Sequence, residues 1–322
     1  MLDKQNILIL SAGRRVELVQ AFQLAAARYL SGALVFTTDL DPDLSPACQI
    51  AGRFFKAPRA NAPEYVDYVL DLCQIHSIGL VIPTIDTELN SLAENRSRFE
   101  SLGINLIISG ASFVAACRDK RKTASIFDKL DISQPLIYDK DSIRFPCFCK
   151  PYDGSSSIGA IAVESESSLT CDLLNDEKNM FMELISKDYS EYTIDCYYDK
   201  HSRLKCLVPR ERLEVRGGEV SKGVTRKNYL YDYLVDRLDL LEDAIGCITF
   251  QVFANNLTES IKALEINPRF GGGFPLASSA GAEFADWLIR EYILKEEISF
   301  FDDWEDNLLM LRYDAKVIVH GY

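Results

Sequence analysis

The sequence predicts an α/β and α+β fold: an N-terminal doubly wound parallel sheet, then lobes built mainly of strands and hairpins. Three observations predict it. Buried-type strand runs alternate with helical segments up to about residue 112. From about Ala111 the texture changes, with a basic helix, a glycine- and serine-rich loop and successive strands. Residues 263–273 alternate apolar and polar positions and then present Gly271, Gly272 and Gly273 in a row. A length of 322 residues suffices for two or three lobes with their own cores.

In the N-terminal region, residues 6–10 read as a buried strand, 11–13 as a turn and 14–29 as a helix. A second strand covers 33–39, and a helix begins at Pro63 and ends near His76. Strands at 79–84 and 105–109 follow, with a helix between them. The first turn, Ser11-Ala12-Gly13-Arg14-Arg15, has one glycine. The G-x-G-x-x-G fingerprint is absent, which argues against NAD even though Asp39 ends the second strand. Arg14, Arg15, Asp39, Asp86 and Glu88 fall at the carboxyl ends of strands, where ligands of open sheets gather. Asp86 and Glu88 read equally as caps or dipole partners of a helix N-terminus.

The second region opens with Cys117-Arg118-Asp119-Lys120-Arg121-Lys122, a basic helix start in an acidic protein. A strand over 145–151 ends in Lys150. The loop Asp153-Gly154-Ser155-Ser156-Ser157-Ile158-Gly159 joins it to a strand at 159–163. This is not a Walker loop. Hydroxyls and free N–H groups beside a lysine can still cover phosphates, whereas the plain reading is a hairpin turn. Further strands are expected at 180–186, 191–198, 203–209 and 210–220, with a helix over 229–244. Arg210 and Arg212 share a face if their segment is extended.

Strands at 246–253 and 261–265 flank a turn centred near Leu257 and Thr258, and a hairpin there sets Gln251 opposite or close to Glu265. Period-two alternation puts Glu265, Asn267 and Arg269 on one face. A carboxylate and an amide oxygen suit Mg²⁺, and a nearby arginine suits a phosphate. The plain alternative is an edge strand with solvated polar groups. A helix over 281–294 and a strand over 308–320 are expected to end the fold.

A net charge of −13 argues against nucleic acid or an anionic membrane surface as partner. No apolar run reaches a membrane span, and Met1-Leu2-Asp3-Lys4-Gln5 does not open a signal peptide, so a cytoplasmic location is expected. Nine scattered cysteines read as reduced thiols. Cys147 and Cys149 form a lone C-x-C pair, which reads as buried strand thiols and not as a zinc site. His76, His201 and His320 lie far apart in sequence, and no nucleophile triad is visible.

These pieces, in this order and over nearly the whole chain, resemble the ATP-grasp superfamily, most closely its carbamoyl-phosphate-synthase-like branch. The resemblance implies a pre-ATP-grasp domain over 1–112, a small lobe over 113–182 and a large lobe over 183–322. It implies phosphate contacts from Lys120 and Lys150, beneath a closing loop that includes Gly154, Ser155, Ser156 and Ser157. Adenine would be held by the hinge strand Glu183-Leu184-Ile185, and ribose by Glu191. Gln251, Glu265 and Asn267 match the ligands of Mg²⁺, for which Mn²⁺ is an alternative, and Arg269 matches the arginine on the transferred phosphate. Glutamine in place of an acid at position 251 departs from many members and agrees with the carbamoyl-phosphate-synthase branch.

The implied activity is an ATP-dependent, ADP-forming carboxylate–amine ligase working through an acyl phosphate, with small-molecule carboxylate and amine substrates. The amine position could equally take another nucleophile. Paired arginines suit a carboxylate, so Arg210 and Arg212 are expected to anchor the acid substrate, against the alternative of two surface salt bridges. A non-catalytic nucleotide-sensing module is the competing reading, and ADP release on substrate screening separates the two. A single grasp unit without a glutaminase domain argues against a full carbamoyl-phosphate synthase. Dimers are common in the superfamily, so a homodimer is admitted, although no interface is legible in the sequence.

Overall fold

The computed structural model describes residues 4–154 and 159–321. Strands β1 (Asn6–Ile9), β2 (Val35–Asp39), β3 (Arg53–Lys56), β4 (Ile78–Ile82) and β5 (Asn105–Leu106) form a parallel sheet in the order β3-β2-β1-β4-β5. Helices α1 (Val16–Tyr29), α2 (Pro46–Ile50), α3 (Tyr65–Ile75), α4 (Asp86–Glu94) and α5 (Arg96–Ser101) connect them. The expected doubly wound sheet is present, with β3 added at one edge. Arg53, Phe54 and Lys56 are exposed on β3, so its pattern carries no buried run to announce a strand.

Two helices, α6 (Ala111–Arg118) and α7 (Lys120–Lys129), lead out of this sheet. Asp119 breaks the run between them, and its carboxylate accepts from the backbone N–H of Arg121 at 3.0 Å, capping α7. A four-stranded antiparallel sheet follows, built of β6 (Ile137–Tyr138), β7 (Cys147–Pro151), β8 (Ile161–Val163) and β9 (Asn179–Glu183) in the order β6-β9-β7-β8, with α8 (Cys171–Asn175) between β8 and β9. Cys147 and Cys149 point into its small core with Val163 and Phe181, as expected of strand thiols. Phe148 and Lys150, one residue out of phase, line the cavity on the other side.

The third sheet is antiparallel and six-stranded. Its members are β10 (Ser190–Tyr198), β11 (Leu204–Arg216), β12 (Glu219–Thr225), β13 (Gly246–Ala254), β14 (Ile261–Asn267) and β15 (Leu309–Leu311), in the order β14-β13-β10-β11-β12-β15. Here some boundaries move. The strands expected at 203–209 and 210–220 are one continuous β11, because Pro209 sits within the strand and Gly217 and Gly218, at φ of 59° and 80°, make the turn instead. The C-terminal strand shrinks to three residues. The helix expected to reach Ala244 is α9 (Tyr229–Leu238), the one expected at 281–294 is α11 (Phe284–Tyr292), and a short α10 (Phe274–Ser279) precedes it.

The parallel sheet and the large antiparallel sheet share a core. Ile7, Ile9, Leu80 and Ile82 join Phe22 and Val19 of α1, Tyr197 and Phe250 of the large sheet, and Phe284, which begins the last helix (Phe284–Tyr292). Phe22 meets Phe270 edge-on with ring centroids 6.1 Å apart, and Phe270 meets Phe274 at 4.7 Å. The opposite face of the parallel sheet packs Leu8, Leu10 and Val81 against α3 and α4. This shared packing holds the carboxyl ends of the parallel strands against the polar face of the large sheet. No helix among the described residues is long and apolar enough to cross a membrane.

Candidate functional site

The polar face of the large sheet is set by pairing register. Thr193 lies opposite Arg210 on one side and Gln251 on the other, and Gln251 lies directly opposite Glu265. Asp195 lies opposite Thr249, and Thr249 opposite Asn267. Because side chains alternate along a strand, Glu191, Thr193 and Asp195 of β10 share this face with Arg210 and Arg212, with Thr249 and Gln251, and with Glu265 and Asn267. The hairpin expected between Gln251 and Glu265 therefore exists in that register. On the other face, Tyr192, Ile194 and Cys196 are buried in the shared core.

This face is one wall of a cavity of about 720 Å³, whose other walls are the small sheet and the end of the parallel sheet. Lys120, Lys150, Gly154, Glu183, Leu184, Ile185, Glu191, Arg210, Arg212, Gln251, Glu265, Asn267 and Arg269 all line it. Ser155, Ser156 and Ser157 lie outside the described residues.

Three charge groupings organise the cavity. At one end, Lys120 Nζ stands 3.6 Å from a Glu265 carboxylate oxygen and donates to the carbonyl of Gly154. Lys150 makes no hydrogen bond or ion pair among the described residues. Burial, with a further push from Lys120, holds its pKa below the ordinary lysine range despite the pull of Glu265. Asn267 donates from Nδ2 to Glu265 Oε1 at 3.1 Å, and its Oδ1 accepts from Arg269 at 3.3 Å.

The Asp195 group lies in the middle of the sheet. Arg210 donates from Nε and Nη2 to the Asp195 carboxylate at 2.7 and 3.0 Å. Both side chains are at most 1% exposed, so this is no surface bridge. Arg212 pairs with Glu191 and donates to the carbonyl of Gly218 at 3.0 Å. Burial raises the Glu191 pKa, reinforced by Glu265 and opposed by Arg212.

The third grouping reaches the parallel sheet. Arg269 donates twice to Asp86 of α4, at 2.9 and 2.8 Å. Burial pushes the Asp86 pKa up, but the Arg269 guanidinium outweighs it and the net shift is down. Arg15 donates to the carbonyls of Phe270 and Thr84 at 3.1 and 2.9 Å, and burial together with Arg269 lowers its pKa to about 10. Glu88 is fully buried and accepts from Ser11, Tyr65 and the amides of Thr84 and Ile85, which is the cap reading of that residue. Asp39 accepts from the amides of Gly13 and Asp41, tying the first turn.

At the hinge, Glu183 is structural in its side chain, accepting from Lys262 at 2.9 Å and from the amide of Leu136 at 3.1 Å. No backbone hydrogen bond engages the amides of Leu184 or Ile185 among the described residues, and both residues line the cavity. Sequence reasoning missed Asp195 and Glu219. A lone aspartate within the apolar run Tyr192-Thr193-Ile194-Asp195-Cys196-Tyr197 was the available signal, since a buried carboxylate demands a cation. Glu219 left no signal, because its place depends on the turn before it.

Residues 7–107 match the family model described as PylC-like, N-terminal domain, and residues 175–308 match the one described as ATP-grasp in the biosynthetic pathway with Ter operon. No curated protein matches the chain by sequence. Among solved structures, the biotin carboxylase domain of Hydrogenobacter thermophilus 2-oxoglutarate carboxylase, in complex with MgADP, ADP and bicarbonate, aligns with a TM-score of 0.73 at 13% identity, over 94% of this chain and 73% of that one. The Staphylococcus aureus N5-carboxyaminoimidazole synthetase complexed with ADP aligns at 0.70 and 15%, over 95% and 80%. The L-amino acid ligase of Bacillus licheniformis aligns at 0.67 and 16%, over 90% and 74%. At these identities the likeness is one of fold.

Proposed function

We propose, from the premise that this chain is built on the ATP-grasp fold, that it is an ATP-dependent, ADP-forming ligase joining a small carboxylate to an amine through an acyl phosphate. The observation that carries the reading is the arrangement of Gln251, Glu265 and Asn267 on adjacent strands, facing Lys120 and Lys150 across one cavity. Residues 1–112, 113–182 and 183–322 are proposed as its three lobes.

The residues present fit a magnesium ion. Glu265 offers a carboxylate, Gln251 an amide with no hydrogen bond among the described residues, and Asn267 a second amide. Among the described residues no three His, Cys, Asp or Glu side chains gather, so the site depends on amide oxygens. When bound, the ion supplies charge neutralisation on the phosphates.

In the reaction, a carboxylate oxygen of the acid attacks the γ-phosphorus, the bond from that phosphorus to the bridging oxygen breaks, and ADP leaves. The amine nitrogen then attacks the acyl carbon, the bond from that carbon to the phosphate oxygen breaks, and phosphate leaves with the electron pair. The amine gives up its proton to solvent. No protein nucleophile is needed, and the task is positioning and charge. Lys120, Lys150 and Arg269 stabilise charge on the transferred group. The free amides of Leu184 and Ile185 suit an adenine edge, and Glu191 a ribose. Arg210 and Arg212 hold the acid, and Gly154 lies against the phosphates. A homodimer in the cytoplasm is the assembly and location we attach to this reading.

ADP release with Mg-ATP across a panel of acids and amines tests it. We expect turnover that depends on an acid, and Glu265→Ala to remove it. Full turnover in that variant, or none with any acid, overturns the assignment.

A further inference from the structure

The three glycines after Arg269 are required by what lies over them. A Cβ added at Gly272 would sit 1.7 Å from Oε2 of Glu219, and one added at Gly273 would sit 2.2 Å from Nη1 of Arg210. Gly272 and Gly273 are consecutive, with Cα atoms ~3.8 Å apart, so a carboxylate and a guanidinium both lie over this one turn. Both line the cavity. They are not paired with each other. Arg210 spends Nε and Nη2 on Asp195 and keeps Nη1 for the cavity. No hydrogen bond or ion pair engages the Glu219 carboxylate among the described residues. Glu219 is also near enough to Arg15 and Arg269 for its charge to act on both, which places it at the Arg269 end of the cavity.

We propose that the acid substrate is an α-amino acid, with its ammonium on Glu219 and its carboxylate on Nη1 of Arg210. The inference rests on the ligase reading of the same cavity. A zwitterion offers opposite charges at the short spacing this pair presents. A simple carboxylic acid would leave Glu219 unmatched, and an acid with a second carboxylate there would be repelled, so Glu219 supplies selectivity as well as attraction. An ammonium held by a carboxylate keeps its proton and cannot act as nucleophile. The amino acid therefore enters as acyl donor, with its carboxylate on Arg210 as the group to be phosphorylated, and a separate amine accepts the acyl group.

The test uses the full-length chain with Mg-ATP, each standard amino acid in both enantiomers, and the matching des-amino acids. ADP release gives turnover, and calorimetry in the presence of a non-hydrolysable ATP analogue gives binding. We expect the amino acid to bind and turn over on the order of tenfold to a hundredfold better than its des-amino partner. Glu219→Gln should erase that discrimination by raising KM for the amino acid, with kcat much less affected, and Glu219→Asp should restore part of it. Gly272→Ala should reproduce Glu219→Gln, because its new methyl displaces the end of a flexible side chain and not backbone. Equal response to amino acids and des-amino acids, or unchanged discrimination in Glu219→Gln, overturns the inference while leaving the ligase reading intact. Glu219-dependent binding of amino acids without any ADP release sustains the inference about the pocket and overturns the ligase.

Discussion

Lys150 shows how one side chain carries both a charge and a cost. Its ammonium lies within the cavity wall, and burial lowers its pKa. A lysine is charged below its pKa, so Lys150 loses its charge at a lower pH than a free lysine. We therefore expect ATP affinity to weaken as pH rises through that lowered value, read as KM for ATP against pH. Lys150→Arg keeps its charge at all accessible pH and should shift the alkaline limb upward. That this residue faces the cavity was legible in the phase of its strand, one step from Cys149. Its closeness to Lys120 and Glu265 was not, because those residues arrive from a different helix and a different sheet.

At the scale of elements, the large sheet is a scaffold whose register does the positioning. The Asp195–Arg210 pair shows what it costs to put charge there. Asp195→Ala strands a buried guanidinium, and we expect a loss of about 3–5 kcal/mol, measured as a drop in the midpoint of chemical unfolding. The double replacement Asp195→Leu with Arg210→Met should cost much less in stability and still abolish acid-dependent turnover. The period-two patterns of β10, β13 and β14 told in advance which residues share a face. They could not show that 204–216 is one strand, since proline inside a run normally signals an end. Nor could they show β3, whose exposed side chains have no buried phase.

At the scale of the whole molecule, the shared apolar core holds the two sheets together, and Arg15 and Arg269 add polar contacts beside the cavity between them. Arg269, the residue proposed for the transferred phosphate, is held by Asp86 at the start of α4. Asp86→Ala should lower the melting temperature by an amount corresponding to about 1–3 kcal/mol and also reduce kcat, since Arg269 loses its orientation. The pH sign follows from the shift. The Asp86 pKa is depressed on folding, so its contribution is present above the ordinary aspartate value and is lost as pH falls through the folded value. The variant should therefore lack part of the acid-side destabilisation seen in the parent chain, measured by melting temperature against pH.

The sequence by itself determined most of the element types, the parallel N-terminal sheet, the hairpin that sets Gln251 against Glu265, and the common face of Glu265 and Asn267. Each of these is a local property, fixed by side-chain periodicity and by turns a few residues long. Tertiary structure alone decided that Ser11 and Tyr65 close on Glu88, that Asp86 holds Arg269, that Asp195 holds Arg210, and that Glu219 stands free over Gly272. Those are meetings between residues 15 to 183 positions apart, whose partners are chosen by how sheets pack and not by any pattern along the chain.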